Sequence, residues 1–212
     1  MFAPFTKRFA SFAVDPFAGD RYRVRVAPDR EWQEVSSCDA LLALPLTNEL
    51  DTELEPSTEL DIQSFWSTAV DCLALRLVQA ARPAQRSRMA PLLAAKDPSH
   101  LLPPGLSMVD FADERRSARD AAAQCHSLKD FDKSLTTRKT SPGRFTIRTA
   151  SWSGELTFYA AGDLDSDGDE DVLVRRNGGA EGGGSYAGSA LFLLSQTAQD
   201  SCMRIVRELG RS

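Results

Sequence analysis

Hydrophobic positions change their period twice along the chain. In Tyr22-Arg23-Val24-Arg25-Val26 apolar and charged residues alternate strictly, which predicts a strand with one wet face. Pro28-Asp29 turns the chain, and 31–35 reads as the returning arm of a hairpin. The stretch 41–46 is apolar, and 48–59 is acidic and interrupted by proline, hence a loop. The period then becomes helical: Ile62, Phe65, Trp66, Ala69, Leu73 and Leu77 recur at three- and four-residue intervals. They predict a helix over 58–81 that ends before Pro83, with Ser57 or Thr58 as its cap and Cys72 carried to the core. A second helical piece is expected over 84–95, limited by Pro91. A proline-rich break follows over 100–105, then an alanine-rich helix over about 108–125.

After Ser141-Pro142-Gly143 the alternating period returns. Strands are expected over 145–149 and 155–159, joined by a turn at Ser153-Gly154, and then over 172–176, 190–195 and 203–209. Consecutive short strands favour an antiparallel meander. The expected fold class is therefore α+β, with an antiparallel C-terminal sheet and a helical segment packed on it. It forms one domain over 1–212, mainly helical over 57–137 and β-rich over 143–212. Five phenylalanines, Phe2, Phe5, Phe9, Phe12 and Phe17, open the chain at spacings of three to five, as an amphipathic helix or as an arm over the core. Lys7 and Arg8 give that stripe only two charges for a membrane surface.

Legible chemistry is concentrated in Gly162-Asp163-Leu164-Asp165-Ser166-Asp167-Gly168-Asp169-Glu170-Asp171-Val172. Five aspartates and one glutamate fall within nine residues. Such crowding is unfavourable in water unless a hard dication sits among the carboxylates, and Ca²⁺ takes about six to eight oxygens from a flexible cage. Asp163, Asp165 and Asp167 occupy alternate positions that converge on one point, and Gly168 permits a sharp turn. Asp169 then offers its main-chain carbonyl and Asp171 its carboxylate. A true EF-hand requires glutamate where this chain has Val174.

The pattern Asp-x-Asp-x-Asp-Gly-x-x-Asp-Val, leading into an apolar strand, resembles the calcium loop of FG-GAP and VCBS-type repeats, also found in integrin propeller blades. It covers about twenty residues and occurs once, whereas a propeller needs roughly four to eight blades. The resemblance therefore implies the ion site, with Asp163, Asp165, Asp167, Asp169 and Asp171 as its residues, and not a propeller.

Composition bounds the rest. At 212 residues with 42% hydrophobic and 26% charged residues, the chain has ordinary globular material for a core. A net charge of −5 argues against a broad nucleic-acid surface. No apolar stretch reaches membrane-spanning length, and the first residues do not read as an intact signal peptide. Cys38, Cys72, Cys125 and Cys202 lack zinc-ligand spacing. They read as two disulfides in an oxidising compartment, or as four buried thiols; three pairings are open.

Nothing in the pattern asks for an enzyme. His100 and His126 stand outside any metal or triad pattern. Gly183-Gly184-Ser185-Tyr186-Ala187 approaches a nucleophile elbow but precedes a strand where a helix is needed. No Gly-Lys-Ser/Thr follows the glycine run, so it is not a phosphate loop. The run itself, 177–185, reads as a flexible connection or as a recognition finger. In the second case Glu181, with Gly182, Gly183, Ser185 and Tyr186 beside it, enters a partner's cleft. The expected function is a calcium-stabilised periplasmic or extracellular binding protein that inhibits a partner such as a secreted toxin or cell-wall hydrolase. Small bacterial immunity and inhibitor proteins with single loops of this type look similar. The alternative is a carbohydrate-binding module or a secreted hydrolase with an unrecognised site.

Overall fold

The computed structural model describes residues 7–8, 16–17, 19–26, 31–44, 52–55, 59–108, 112–181, 187–197 and 202–211. In chain order the strands are β1 (Lys7–Arg8), β2 (Tyr22–Val26), β3 (Gln33–Val35) and β4 (Thr52–Glu55), then β5 (Thr136–Ser141), β6 (Arg144–Arg148), β7 (Trp152–Gly162), β8 (Asp171–Ala180), β9 (Ala187–Ser195) and β10 (Arg204–Arg211). The helices are α1 (Cys38–Leu42), α2 (Glu59–Ala80), α3 (Ala90–Ala94), α4 (Ala112–Ala123) and α5 (Leu128–Phe131). The class is α+β. Strands β5 to β10 form an antiparallel meander in the order β10-β9-β8-β7-β6-β5, with β1 also pairing to β7.

Alternation decides which side chain meets which layer. On β8, Val172 and Val174 face one side and Leu173 the other; on β9, Phe192 and Leu194 join the first face and Leu191 and Leu193 the second. Along β7 the parity switches. Leu156 and Phe158 lie on the first face and Ala160 on the second, because the β7–β8 register slips between Phe158 and Ala160 and leaves Tyr159 as a bulge. The first face is covered by Met89, Leu92, Leu102, Leu106 and Leu128 from the segment between α2 and β5.

The second face is covered by α2. Its Val70, Ala74 and Val78, spaced by four, pack on Ala160, Leu173 and Leu191. A different stripe, Phe65 and Cys72, packs on Tyr22, Val24 and Val35 of the small sheet β3-β2-β4. A helix clad in two sheets must be apolar on two sides, and each fully buried Val, Leu or Phe contributes about 1.5–3 kcal/mol. Polar anchors fix its position. Asp71 accepts hydrogen bonds from Tyr159 Oη and Arg175 Nη1, both at 2.6 Å, tying α2 to β7 and β8.

Several expectations need correction. A strand, β4, occupies part of the acidic stretch 48–59 because Thr52 to Glu55 completes the small sheet by pairing with β2. The helix expected over 84–95 shrinks to α3, since 82–87 spends its backbone hydrogen bonds on the acidic loop described below. Ser153-Gly154 is not a turn but part of β7, and the β6–β7 turn lies at 149–151, where Thr149 N–H donates to the Trp152 carbonyl. Strand β5 takes the last two residues of the mainly helical segment expected to end at 137, and fills most of the interval up to the β-rich part. Among the five N-terminal phenylalanines Phe17 is buried against Tyr22; the other four, and the caps Ser57 and Thr58, lie outside the described residues.

Candidate metal centre

The acidic loop is the hairpin connection between β7 and β8, two interior strands of the large sheet. Gly162 pairs with Asp171 at its base. Its flanks are strands, so the helix–loop–helix geometry of an EF-hand is absent. Two residues take left-handed backbone, Ser166 at φ 71° and Gly168 at φ 87°, which is how the chain reverses within so few residues. Internal turns set its shape: Asp167 N–H donates to Asp165 Oδ1 at 3.2 Å, and Asp169 N–H to Asp167 Oδ1 at 2.7 Å.

The five aspartates then divide their roles. Asp163, Asp165 and Asp171 each bring a carboxylate oxygen to within 4.8 Å of the others. Calcium–oxygen distances of about 2.3–2.6 Å place opposite ligands up to about 5 Å apart, so this spacing fits one ion of that size. Asp163 is 6% exposed and Asp171 fully buried, yet Oδ1 of each accepts no hydrogen bond among the described residues. Asp171 Oδ2 is used, accepting the Leu164 amide at 3.0 Å. Burial pushes the Asp171 carboxyl up to about 7, with the charges of Asp165 and Asp167 adding to the rise. Asp165 is also raised, by burial first and then by Asp167 and Asp163. The Leu164 amide and the Ser195 side chain oppose the rise at Asp171. A cluster of crowded, mostly buried carboxylate oxygens of this kind could hold a cation.

Asp167 and Asp169 stand outside this group of three. The Asp169 carboxylate is gripped by the Arg86 guanidinium, Nε to Oδ1 at 2.7 Å and Nη2 to Oδ2 at 3.1 Å. The Asp169 side chain is thus committed to Arg86 and is not part of the three-carboxylate group. Periodicity and motif singled out neither Arg86 nor the strap that carries it. Residues 82–87, leaving α2 at Pro83, lie along the loop backbone: Arg82 and Asp163 exchange two hydrogen bonds at 3.0 Å, and Gly168 O accepts from Gln85 and Arg86 amides at 2.9 and 3.2 Å. The Glu170 amide donates to Arg86 O at 2.8 Å, and Ser87 Oγ donates to the Glu170 carboxylate. The only signal in the sequence was three arginines, Arg82, Arg86 and Arg88, within seven residues.

Of the glycine-rich segment read as a flexible connection or a recognition finger, the structure describes the part up to Glu181. Gly178, Gly179 and Ala180 belong to β8, and Gly178 pairs on both sides, with Gly154 and with Gly188. Gly182, Gly183, Ser185 and Tyr186 lie outside the described residues. Glu181 is held down, accepting from Arg148 Nε at 2.8 Å and Nη2 at 3.1 Å while its amide donates to Ser151 O. The hydrogen bonds from Arg148 keep its carboxyl below the usual range. The acidic loop is remote from this segment. It lies at the opposite end of a ten-residue strand, about 30 Å away at the rise of an extended chain.

The disulfides are Cys38–Cys72, joining α1 to α2 with Cα atoms 5.1 Å apart, and Cys125–Cys202, with Cα atoms 5.5 Å apart. Among the described residues no helix is long and apolar enough to cross a membrane. Comparison with protein-family models, with curated proteins and with solved structures finds no match for this chain.

Proposed function

We propose that the chain is a calcium-stabilised binding protein of an oxidising, extracytoplasmic compartment, periplasmic or extracellular. The observation that carries the ion is the pair of buried carboxylate oxygens, Asp163 Oδ1 and Asp171 Oδ1, in the three-aspartate cluster without a donor among the described residues. All-oxygen ligands of this kind suit a hard cation, and a flexible loop that also offers a main-chain carbonyl suits Ca²⁺ better than the stricter octahedron of Mg²⁺. Strand flanks on both sides support the likeness to FG-GAP and VCBS-type loops. Two disulfides support the compartment.

In this reading the bound ion supplies positive charge to the carboxylates at the base of the central hairpin. Asp163, Asp165 and Asp171 hold it, Asp167 and Gly168 shape the turn, and Arg86 keeps the Asp169 side chain away. The chain is a binder and not an enzyme, and its partner is a protein such as a secreted toxin or cell-wall hydrolase, which it inhibits. A groove of about 640 Å³ supports that contact at the other end of the sheet, lined by Thr136, Arg148, Ser153 and Glu181 among others.

Melting curves test the ion. Saturating Ca²⁺ at a hundredfold excess over its dissociation constant stabilises the fold by about 2.7 kcal/mol, Mg²⁺ does so much less, and Asp171→Asn removes the difference. Equal melting in calcium and in chelator rules the ion out. Assays of secreted cell-wall hydrolases with and without the protein test the partner; hydrolysis of peptidoglycan or glycans by the chain alone would replace the inhibitor reading with the enzyme one.

A further inference from the structure

A cleft of about 630 Å³ opens between α4 and the face of the sheet formed by β8 and β10. It shares no residue with the acidic loop. Its origin is local: α4 turns Ala118 and Ala122 inward, spaced by four, and methyl groups are too short to fill the gap to the sheet. Protein interiors are otherwise packed to the density of organic crystals, so a helix that stands off its sheet on alanines leaves usable space. The volume lies within the range of small-molecule sites, about 300–1,000 Å³.

The chemistry of the wall is specific. Four of the residues that line it are arginines, Arg115, Arg119, Arg176 and Arg204, and one, Glu208, is acidic, in a chain whose net charge is −5. Arg115 and Arg119 sit one helical turn apart on α4, so both reach the same wall of the cleft. Arg176 continues the inward row of Val172 and Val174, so a guanidinium occupies a core-facing position and is 3% exposed. It donates through Nη1 to the carbonyls of Leu106 and Ser107 and lies 5.3 Å from the centre of the Phe192 ring. These contacts fix its orientation without removing its charge. Pro103 and Ile205 supply apolar surface next to the arginines.

Both walls are fixed covalently. Cys125 follows the end of α4 by two residues, Cys202 precedes the start of β10 by two, and the two are disulfide-bonded. A bridge at this place holds the helix and the strand that face each other across the opening, which preorganises the cleft.

We propose that this cleft binds an organic anion, a small molecule with an apolar body and a carboxylate or phosphate head. The head meets the arginines, which offer paired donors to planar oxyanions, and the body lies on the alanines, Pro103 and Ile205. This goes beyond the calcium reading and does not depend on it.

Calorimetric titration of the full chain tests it, with decanoate and decyl phosphate as the anionic probes and decanol and decyltrimethylammonium as controls of equal chain length. At least one anionic probe binds at least tenfold more tightly than either control, and which of the two is tighter identifies the head. Arg119→Gln, at an exposed position, weakens the preferred anion at least fivefold with an unchanged melting curve. Ala122→Trp, which fills the cleft, abolishes binding. Equal affinity for decanol, no binding of either anion, or full affinity in a folded Arg119→Gln protein each overturns the proposal. If Ala122→Trp does not fold, Arg204→Gln supplies the second variant; the same fivefold loss is expected, and retained affinity overturns the proposal equally.

Discussion

Arg86 and Asp169, 83 residues apart, join through two parallel hydrogen bonds of 2.7 and 3.1 Å, the geometry of a guanidinium fork on a carboxylate. The arginine side chain is 61% exposed while that of Asp169 is only 10% exposed. The pair therefore ranks above an ordinary surface bridge and below a buried one. Arg86→Ala leaves a largely buried carboxylate beside a cluster already rich in negative charge, and we expect a loss of about 1–2 kcal/mol of stability. Urea unfolding in chelator, where no ion can compensate, measures it. A change too small to resolve, below about 0.3 kcal/mol, would show that solvent screens the pair fully.

The cross-strand pair Gly154 and Gly178 leads to the second prediction. A Cβ added at Gly154 would stand 2.2 Å from the Asn177 carbonyl oxygen and 2.7 Å from Gly178 Cα. The two strands approach so closely that only hydrogen fits between them. Gly154→Ala must push β7 from β8, at a cost of about 1–3 kcal/mol, while Arg148 and Glu181 lose their alignment at the same end of the sheet. Chemical denaturation checks the cost; a stability equal to that of the unaltered protein would mean that the strands separate without strain.

Alkaline titration gives the third. Burial raises the Tyr159 phenol to about 12, with the Arg175 charge opposing and Asp71 adding to the rise. An exposed phenol ionises near about 10. Because the folded value is the higher one, Tyr159 contributes stability that is fully present below about pH 10 and is lost as pH rises through about 12. Ultraviolet absorbance should show a late phenol ionisation, and Tyr159→Phe should delete that step. An alkaline titration left unchanged by Tyr159→Phe above about pH 10 would contradict the burial.

The fourth concerns the covalent frame. Peptide mapping without reductant should return Cys38–Cys72 and Cys125–Cys202 and no alkylated cysteine. The bridges close 34 and 77 residues of chain, so removal of either costs up to about 4 kcal/mol on chain-entropy grounds. Cys125→Ala with Cys202→Ala should in addition weaken anion binding in the adjacent cleft, and removal of the Cys38 and Cys72 pair should not. Equal effects of both removals on that binding would show that the bridge merely stabilises the fold.

Local pattern determined much of this protein. The period of 62–77 placed α2, because a helix buried on two sides needs apolar residues at three- and four-residue intervals. Alternation placed β2, where apolar and charged residues take opposite faces of one strand. Short apolar runs placed β8 and β9, whose two faces both meet covering layers. The alternating Asp163, Asp165 and Asp167, followed by Asp171, marked the acidic loop. Of these only Asp163, Asp165 and Asp171 come within 4.8 Å of one another, and Asp167 does not join them as its spacing suggested.

What depends on distant chain was decided only in three dimensions. The strap at 82–87 has no repeat of its own and takes its shape from hydrogen bonds to a loop about eighty residues away. Gly178 and Gly179 read as a flexible linker because glycine is permissive, yet a strand on either side enlists them in a sheet. The four cysteines allowed three pairings, and the packing of α1 on α2 and of the α4 end near β10 selected one. The arginine cleft was invisible for the same reason. Arg115 and Arg119 come from a helix, Arg176 and Arg204 from two strands, and no sequence interval records that the fold turns all four toward one opening.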